Sequence, residues 1–506
     1  MSGVIIAGAG PVGLMLAGEL GRSGLSVTVL DPLERRSERS PGVAVNAACV
    51  EALDQRGLME EIREDCFILP AVHFSLIFLD MSKGDDASED AYMVPQSRVE
   101  EILENRAVSL GVDIRRGHRL VGLTQDRAEV TATVRGPDGE YALSGAYLVG
   151  CDGKHSTVRG LLGVGMTGTE DPSCHGIVGD VDISADPAAM SGKHIGAYIS
   201  DDGGIYTGAP SGPGLLRVMT VEYDRISSDH DTPVTADELE AGVKRLTGAG
   251  LGACRPLWMS RFTDAIRLAD RYRVGRVFLA GDAAHTIFPL NGFGLSTGIA
   301  DAVNLGWKLA ADLEGWAPPG LLDTYHRERH PVGDAACRTV RAQAELVHPP
   351  ERVAPMRELL TDLLQYDDVQ RHLIRLVSDL AVRYPSTTPE SSSAHPLLGA
   401  RLPRLTLTPA DGTASVSEIL RCGLGVLLDL SGGAADLSAA KDWPDRLTVV
   451  AAEPSERIPA SAVLLRPDGH VAWVRTAESD DRLLRGELTR WFGAATRPSS
   501  AEGDVA

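Results

Sequence analysis

The residues whose types and spacing suit chemistry in this chain are mostly glycines and carboxylates, gathered in four short stretches. Gly8-Ala9-Gly10-Pro11-Val12-Gly13 is a GxGxxG loop, and Asp31 lies 18 residues beyond Gly13. In such a loop the first glycine permits a tight turn and the second lets the backbone approach a pyrophosphate. The third lets a helix pack closely on its strand. A carboxylate at Asp31 accepts hydrogen bonds from an adenosine ribose and disfavours a ribose carrying a 2′-phosphate, so NADP is a poor occupant. Farther along come Asp152-Gly153 with Arg159, then Gly281-Asp282, then Pro289-Leu290-Asn291-Gly292-Phe293-Gly294-Leu295. Asp282 fits two roles, the N-cap of a following helix or a carboxylate facing a bound cofactor. No nucleophile–base pair stands out, so no side chain is assigned as a catalytic acid or base. His175 and His285 have no metal-ligand partner at a suitable spacing and read as structural.

The elements that must position these stretches follow from their flanks. Val4-Ile5-Ile6-Ala7 is a short apolar run of the kind found in a buried parallel strand. Leu14, Ala17 and Leu20 recur at helical spacing after the loop, and Val27-Thr28-Val29-Leu30 forms a second strand ending at Asp31. Tyr147 to Gly150 is a strand entering the Asp-Gly turn, and Val277 to Ala280 is a strand entering the Gly-Asp turn. A long helix begins near Leu295, with Ile299, Val303, Leu305 and Leu309 as apolar positions. Strand, loop, helix, strand and acid in this order predict a Rossmann-type dinucleotide site, in which the helix N-terminus offers free N–H groups to the phosphates. The loop alone does not separate FAD from NAD.

Composition excludes several classes. A formal charge of -21 repels nucleic-acid backbones and anionic membrane surfaces alike. No apolar run approaches the roughly 20 residues that span a bilayer. The N-terminus has no basic region of a secretory signal. The 7 cysteines are dispersed and form no CxxC pair, which argues against a disulfide framework or a zinc site. These features fit a reducing cytoplasm. At 506 residues the chain is expected to hold about three domains.

The glycine loop, the Asp-Gly stretch and the Gly-Asp stretch, in this order and at these separations, resemble the single-component FAD-dependent aromatic hydroxylases, and most of all their polyketide-tailoring branch. The resemblance covers nearly the whole chain. It implies that Gly8, Gly10 and Gly13 hold the FAD pyrophosphate and Asp31 the ribose. It implies that Gln96 and Arg98 contact the ribityl and phosphate region, that Asp152, Gly153 and Arg159 lie near flavin and nicotinamide, and that Asp282 reaches the ribityl chain. Pro289, Gly292, Gly294 and Leu295 would flank the flavin ring, with the helix N-terminus directed at its pyrimidine edge. NADPH or NADH would act as a transient reductant. Oxygen would reach a polycyclic aromatic, phenol or quinone substrate through a flavin hydroperoxide.

Relatives commonly carry arginines where this chain aligns Pro41 and Ala48, and glutamine where it has Phe293. A missing phosphate-facing cation costs about 1–3 kcal/mol, enough to loosen FAD roughly tenfold to a hundredfold. The replacements leave open a non-oxygenating flavoenzyme (dehydratase or reductase), or a non-catalytic binding subunit of a biosynthetic complex.

The expected organisation is α/β. A discontinuous FAD-binding domain takes 1–170 and 271–325, and a mostly β substrate domain takes 171–270, joined by a strand from about 69–80. A helical connection follows over 326–384 and a linker over 385–396. A degenerate thioredoxin-like domain covers 397–498; Cys422 has no resolving partner, so that domain is expected to be structural and to support a possible homodimer. His73, Phe74, Trp258, Asn291 and Phe293 are the substrate-pocket candidates, though Trp258 and Phe262 read first as plain core residues. Arg329 and His330 read as a solvated helix end beside Pro331.

Overall fold

The computed structural model describes residues 3–496 except 38, 65, 70, 85–90, 170–172, 185–193, 224–231, 253, 386–394, 403, 410–411 and 476–480. The expected linker falls largely on 386–394, outside the described residues.

Val4–Ala7 is apolar at every position and buried at every position, as a strand flanked on both faces must be. It sits inside a six-stranded sheet whose order is 273–274, 277–279, 147–150, 4–7, 27–31, 113–116. All neighbours are parallel except the 273–274 edge. The three strands that deliver the chemistry, 4–7, 147–150 and 277–279, are therefore adjacent, and their C-terminal ends open on one edge of the sheet. That edge is where ligands bind in open parallel sheets. Helix Pro11–Arg22 and helix Phe293–Leu313 pack against each other over it. Gly298 and Gly281 permit this approach, since a Cβ on either would lie 2.6 or 2.8 Å from the Val12 side chain.

A second unit is a five-stranded antiparallel sheet, ordered 196–199, 205–212, 215–223, 174–182, 255–262, with helix Ala236–Thr247 against it. The segment 69–80 does not join this sheet. It forms a separate hairpin, Val72–Phe74 with Ile77–Leu79, turned by Ser75 and Leu76 at positive φ and packed on helix Asp367–Val377.

The helical region is three helices, Asp323–Glu345, Pro350–Leu363 and Asp367–Val377. Pro331 lies inside the first of these and does not end it. The expectation of a solvated end at Arg329 is therefore corrected: Arg329 is 1% exposed and paired with Asp301. A proline ring removes one N–H and prefers the first turn, yet tertiary burial of Tyr325, Glu328, Arg329 and Val332 carries the helix through it. The C-terminal unit is a four-stranded sheet, ordered 447–451, 425–429, 462–465, 471–475, with helix Asp481–Phe492. The first pair is parallel and the others antiparallel. No described helix is long and apolar enough to cross a membrane.

Candidate cofactor and substrate site

The glycine loop is specified by what its glycines must avoid. Gly8 has φ +106°, and a Cβ there would meet the Cys151 carbonyl oxygen at 2.3 Å. A Cβ on Gly13 would lie 2.0 Å from the Gly8 carbonyl oxygen. Gly10 differs, because nothing lies within 4 Å of where its Cβ would stand. The protein thus demands glycine at 8 and 13, whereas the space beside Gly10 is open, as a cradle for a pyrophosphate requires. Gly10 also caps helix Pro11–Arg22 without a side chain, which leaves its first N–H groups available to an anion.

Asp31 ends the second strand and is nearly buried. Its Oδ2 accepts the Ala9 N–H at 2.8 Å and its Oδ1 the Leu33 N–H at 2.9 Å, with Arg116 at 3.5 Å. It thereby braces the loop from below. Gln96 Oε1 accepts the Gly42 N–H at 3.1 Å while its Nε2 donates to Glu100 at 2.8 Å, so it holds the 40–46 segment in place. Arg98 pairs with Glu101 at 3.1 Å on the same helix.

Asp152 turns inward. Its oxygens accept Ser156 Oγ at 2.5 Å and the Val158 N–H at 3.0 Å, so it organises the start of helix Thr157–Leu162. Gly153, at φ +80°, makes the turn. Arg159 then ties this turn to the next motif, donating to the Ala283 carbonyl at 3.0 Å and the Lys154 carbonyl at 2.8 Å.

Asp282 is solvent-accessible yet surrounded by protein, which places it in a recess. Those surroundings push its carboxyl above the usual range, against the pull of His285 and Lys154. It lies in the Gly281–Ala283 turn and caps no helix there. Its Oδ1 stands 3.9 Å from where a Gly294 Cβ would be, so it faces the first turn of helix Phe293–Leu313. Asn291 and Gly292 both have positive φ, and a Cβ on Gly292 would meet the Ala44 carbonyl at 2.7 Å. Gly292 supplies no capping side chain, so the helix N-terminus at Gly294 and Leu295 keeps its dipole for the recess. Pro289 is exposed at its rim.

The substrate-pocket candidates separate. Phe293 is 1% exposed, in a core cluster with Phe288 and Leu290, against which Phe262 packs. Phe74 is buried against helix Asp367–Val377. Trp258 donates Nε1 to Asp180 at 2.8 Å, and Arg217 stacks on its ring at 4.9 Å. His73 is half-buried, and desolvation lowers it to about 4, so it is neutral near pH 7. Its Nδ1 accepts the Leu76 N–H at 3.3 Å, which leaves the ring proton on Nε2 as a donor. Asn291 Nδ2 donates to the His73 carbonyl at 3.1 Å and to Gln343 Oε1 at 3.0 Å.

Sequence reading missed Gln343 and the buried charges. Gln343 Oε1 also accepts the Ser75 N–H at 3.1 Å, making it the strut between hairpin and recess. Asp180 and Arg217 form a bidentate pair at 2.6 and 2.7 Å, and Arg217 reaches the Pro41 carbonyl at 3.4 Å. Arg401, from the C-terminal side, donates to the Ala48 carbonyl at 3.0 Å. Both aligned positions that lack a cation are thus met by a distant arginine on their backbone. Asp301, Asn304 and Lys308, polar at helical spacing on a largely apolar helix, were the available signal for the charges.

With this geometry in view, the comparisons with known proteins agree with it. Residues 1–340 match the FAD binding domain family model, and residues 395–495 match that of the aromatic-ring hydroxylase C-terminal region. The chain belongs to the FAD-binding aromatic-ring hydroxylase family. Dialkyldecalin synthase from Streptomyces rugosporus is 45% identical over 97% of this chain and 99% of its own length. Rifampicin monooxygenase from Streptomyces venezuelae is 40% identical over 98% of this chain and 100% of its own. The solved structure of OxyS anhydrotetracycline hydroxylase from Streptomyces rimosus superposes with a TM-score of 0.87 at 40% identity, covering 98% of this chain and 99% of that one. The protein is an FAD enzyme of the monooxygenase type. The open space at Gly10, the recess at Asp282 and the uncapped helix fit the cofactor.

Proposed function

We propose that the chain is a tailoring monooxygenase that inserts one oxygen atom into a polycyclic aromatic polyketide or a related phenol or quinone, with NADPH or NADH as reductant. The observation carrying this reading is the recess that joins three strand ends of one sheet, with Asp282 and an uncapped helix N-terminus facing the same space. Bound FAD supplies electron transfer from the nicotinamide to dioxygen and oxygen transfer to substrate.

The protein's own part is binding, orientation and dryness. Gly8 to Gly13 and Asp31 seat the nucleotide, and Gln96 fixes the 40–46 segment beside it. Asp152, Gly153 and Arg159 hold the neighbouring turn. The positive end of helix Phe293–Leu313 stabilises negative charge that develops at its N-terminus. Phe262, Phe288 and Phe293 keep the adjoining space apolar, and neutral His73 offers an Nε2–H to a substrate oxygen. The antiparallel sheet of 171–270 roofs the substrate pocket in this reading. The strand order of the C-terminal unit supports a degenerate thioredoxin-like fold without a redox pair, a cytoplasmic location suits its free cysteines, and a homodimer is the expected assembly.

A second reading rests on the 45% identity to dialkyldecalin synthase, whose name denotes a synthase and not an oxygenase: the chain would then form its product without inserting oxygen. Oxygen uptake measured against product, with candidate substrates and NADPH or NADH, separates the two. Equimolar oxygen and product supports oxygenation. Product formed without oxygen uptake or nicotinamide oxidation overturns it.

A further inference from the structure

Asp301 and Arg329 lie buried behind the recess. Asp301 Oδ2 accepts the Gly281 N–H at 3.1 Å and meets His285 Nε2 at 2.7 Å, while its Oδ1 receives Arg329 Nε at 2.6 Å. A single carboxylate therefore fixes the residues on both sides of Asp282. Burial alone would push that carboxyl up, but Arg329 and His285 outweigh it and hold Asp301 ionised. Arg329 also donates Nη2 to the Thr297 carbonyl at 2.9 Å and Nη1 to Tyr384 Oη at 3.3 Å, locking the first turns of helix Phe293–Leu313.

The array continues into the C-terminal unit. Glu328, adjacent to Arg329, takes Arg466 at 2.7 and 2.9 Å and Lys308 Nζ at 2.7 Å. Arg466 also pairs with Asp468 and lies over the rings of Trp491 at 4.4 Å and Tyr384 at 5.1 Å. Asp468 accepts Asn304 Nδ2 and Trp307 Nε1, both at 3.2 Å, from the same helix that begins at the recess. Buried ion arrays of this kind are costly to leave incomplete, because a stranded partner has no water to turn to.

We propose that Asp301 and Arg329 are positioning residues that hold the Gly281–Asp282 turn in its FAD-binding pose, and that the C-terminal unit acts on the flavin site through them by seating Arg466 on Glu328. The proposal rests on FAD occupying the recess. It explains why a unit remote in sequence is tied by buried charge to a helix whose N-terminus faces that recess.

The test is a double-mutant cycle in the full chain, reading FAD dissociation constants by flavin fluorescence alongside apo-protein melting and the midpoint potential of bound flavin. Asp301→Asn and Asp282→Ala are each expected to weaken FAD about tenfold or more, as loss of a charge-assisted contact does. In the Asp282→Ala background, Asp301→Asn should add little further loss, because it acts through the same turn. Arg466→Lys, which keeps its charge and removes the bidentate contact, should weaken FAD in the same direction and shift the flavin potential. Wild-type FAD affinity in Asp301→Asn, or full additivity with Asp282→Ala, overturns the proposal. Should Asp301→Asn fail to fold, unchanged FAD affinity and potential in Arg466→Lys overturn it equally. Failure of the unaltered chain to bind FAD would overturn the cofactor assignment, and this proposal with it.

Discussion

The two sides of the recess are built by opposite means. On the nucleotide side, the tightest constraints are backbone against backbone: Gly8 against Cys151, Gly13 against Gly8, Gly292 against Ala44. On the other side, position is set by side-chain struts between distant residues: Asn291 to Gln343 to Ser75, and Trp258 to Asp180 to Arg217. The first kind of construction tolerates almost no substitution. The second can be rebuilt with other side chains, which suits a surface that must fit a particular substrate. In the proposed reading the first side holds the cofactor and the second the substrate.

The largest effect that would break this comparison is at Gly13. A methyl 2.0 Å from the Gly8 carbonyl cannot be accommodated, so Gly13→Ala is expected to weaken FAD by roughly a hundredfold or prevent holoenzyme formation. Fluorescence titration measures it; near-normal affinity would show that the loop is less constrained than its backbone contacts imply.

Gln343→Ala tests the strut. It removes the acceptor of the buried Ser75 N–H, leaving that donor unpaired at a cost of about 1–3 kcal/mol, and leaves Asn291 Nδ2 with the His73 carbonyl alone. The expected result is a KM for substrate raised about tenfold with FAD affinity little changed. An equal fall in FAD affinity would mean the two sides are not separately built.

A smaller effect is expected in acid. His470 is buried and held at about 4, below its ordinary 6.5, chiefly by desolvation. The unfolded state therefore binds a proton first as pH falls, so this contribution is full above about 6.5 and lost progressively towards 4. His470→Gln should flatten the melting temperature's dependence on pH across that window. The smallest effect is at Cys422, exposed and unpaired: Cys422→Ser should leave turnover with nicotinamide and substrate unchanged. A clear loss there would point to a redox role for the C-terminal unit.

How much was legible in the sequence follows the same division. The strand Val4–Ala7, the helix Pro11–Arg22 and the strand ending at Asp31 were legible because their signals are local, within one strand–turn–helix–strand unit. Arg329 beside Pro331 looked like a helix end because proline's local preference is strong, and only the burial of Asp301 opposite it, 28 residues away in sequence, explains the continuous helix. The packing of Phe74 on helix Asp367–Val377 was not legible, because an apolar residue's partner is not announced by the sequence around it. Gln343 carried no signal at all, since its two partners lie 268 and 52 residues away.

The measurement that bears most directly on the central claim is titration of the full-length apo-protein with FAD, followed by flavin fluorescence and visible absorbance and repeated with Gly13→Ala. Saturable, equimolar, non-covalent binding by the unaltered chain, lost in the variant, is the predicted result. A chain that gains no flavin signal, or a variant that binds FAD as well as the unaltered chain, would contradict it.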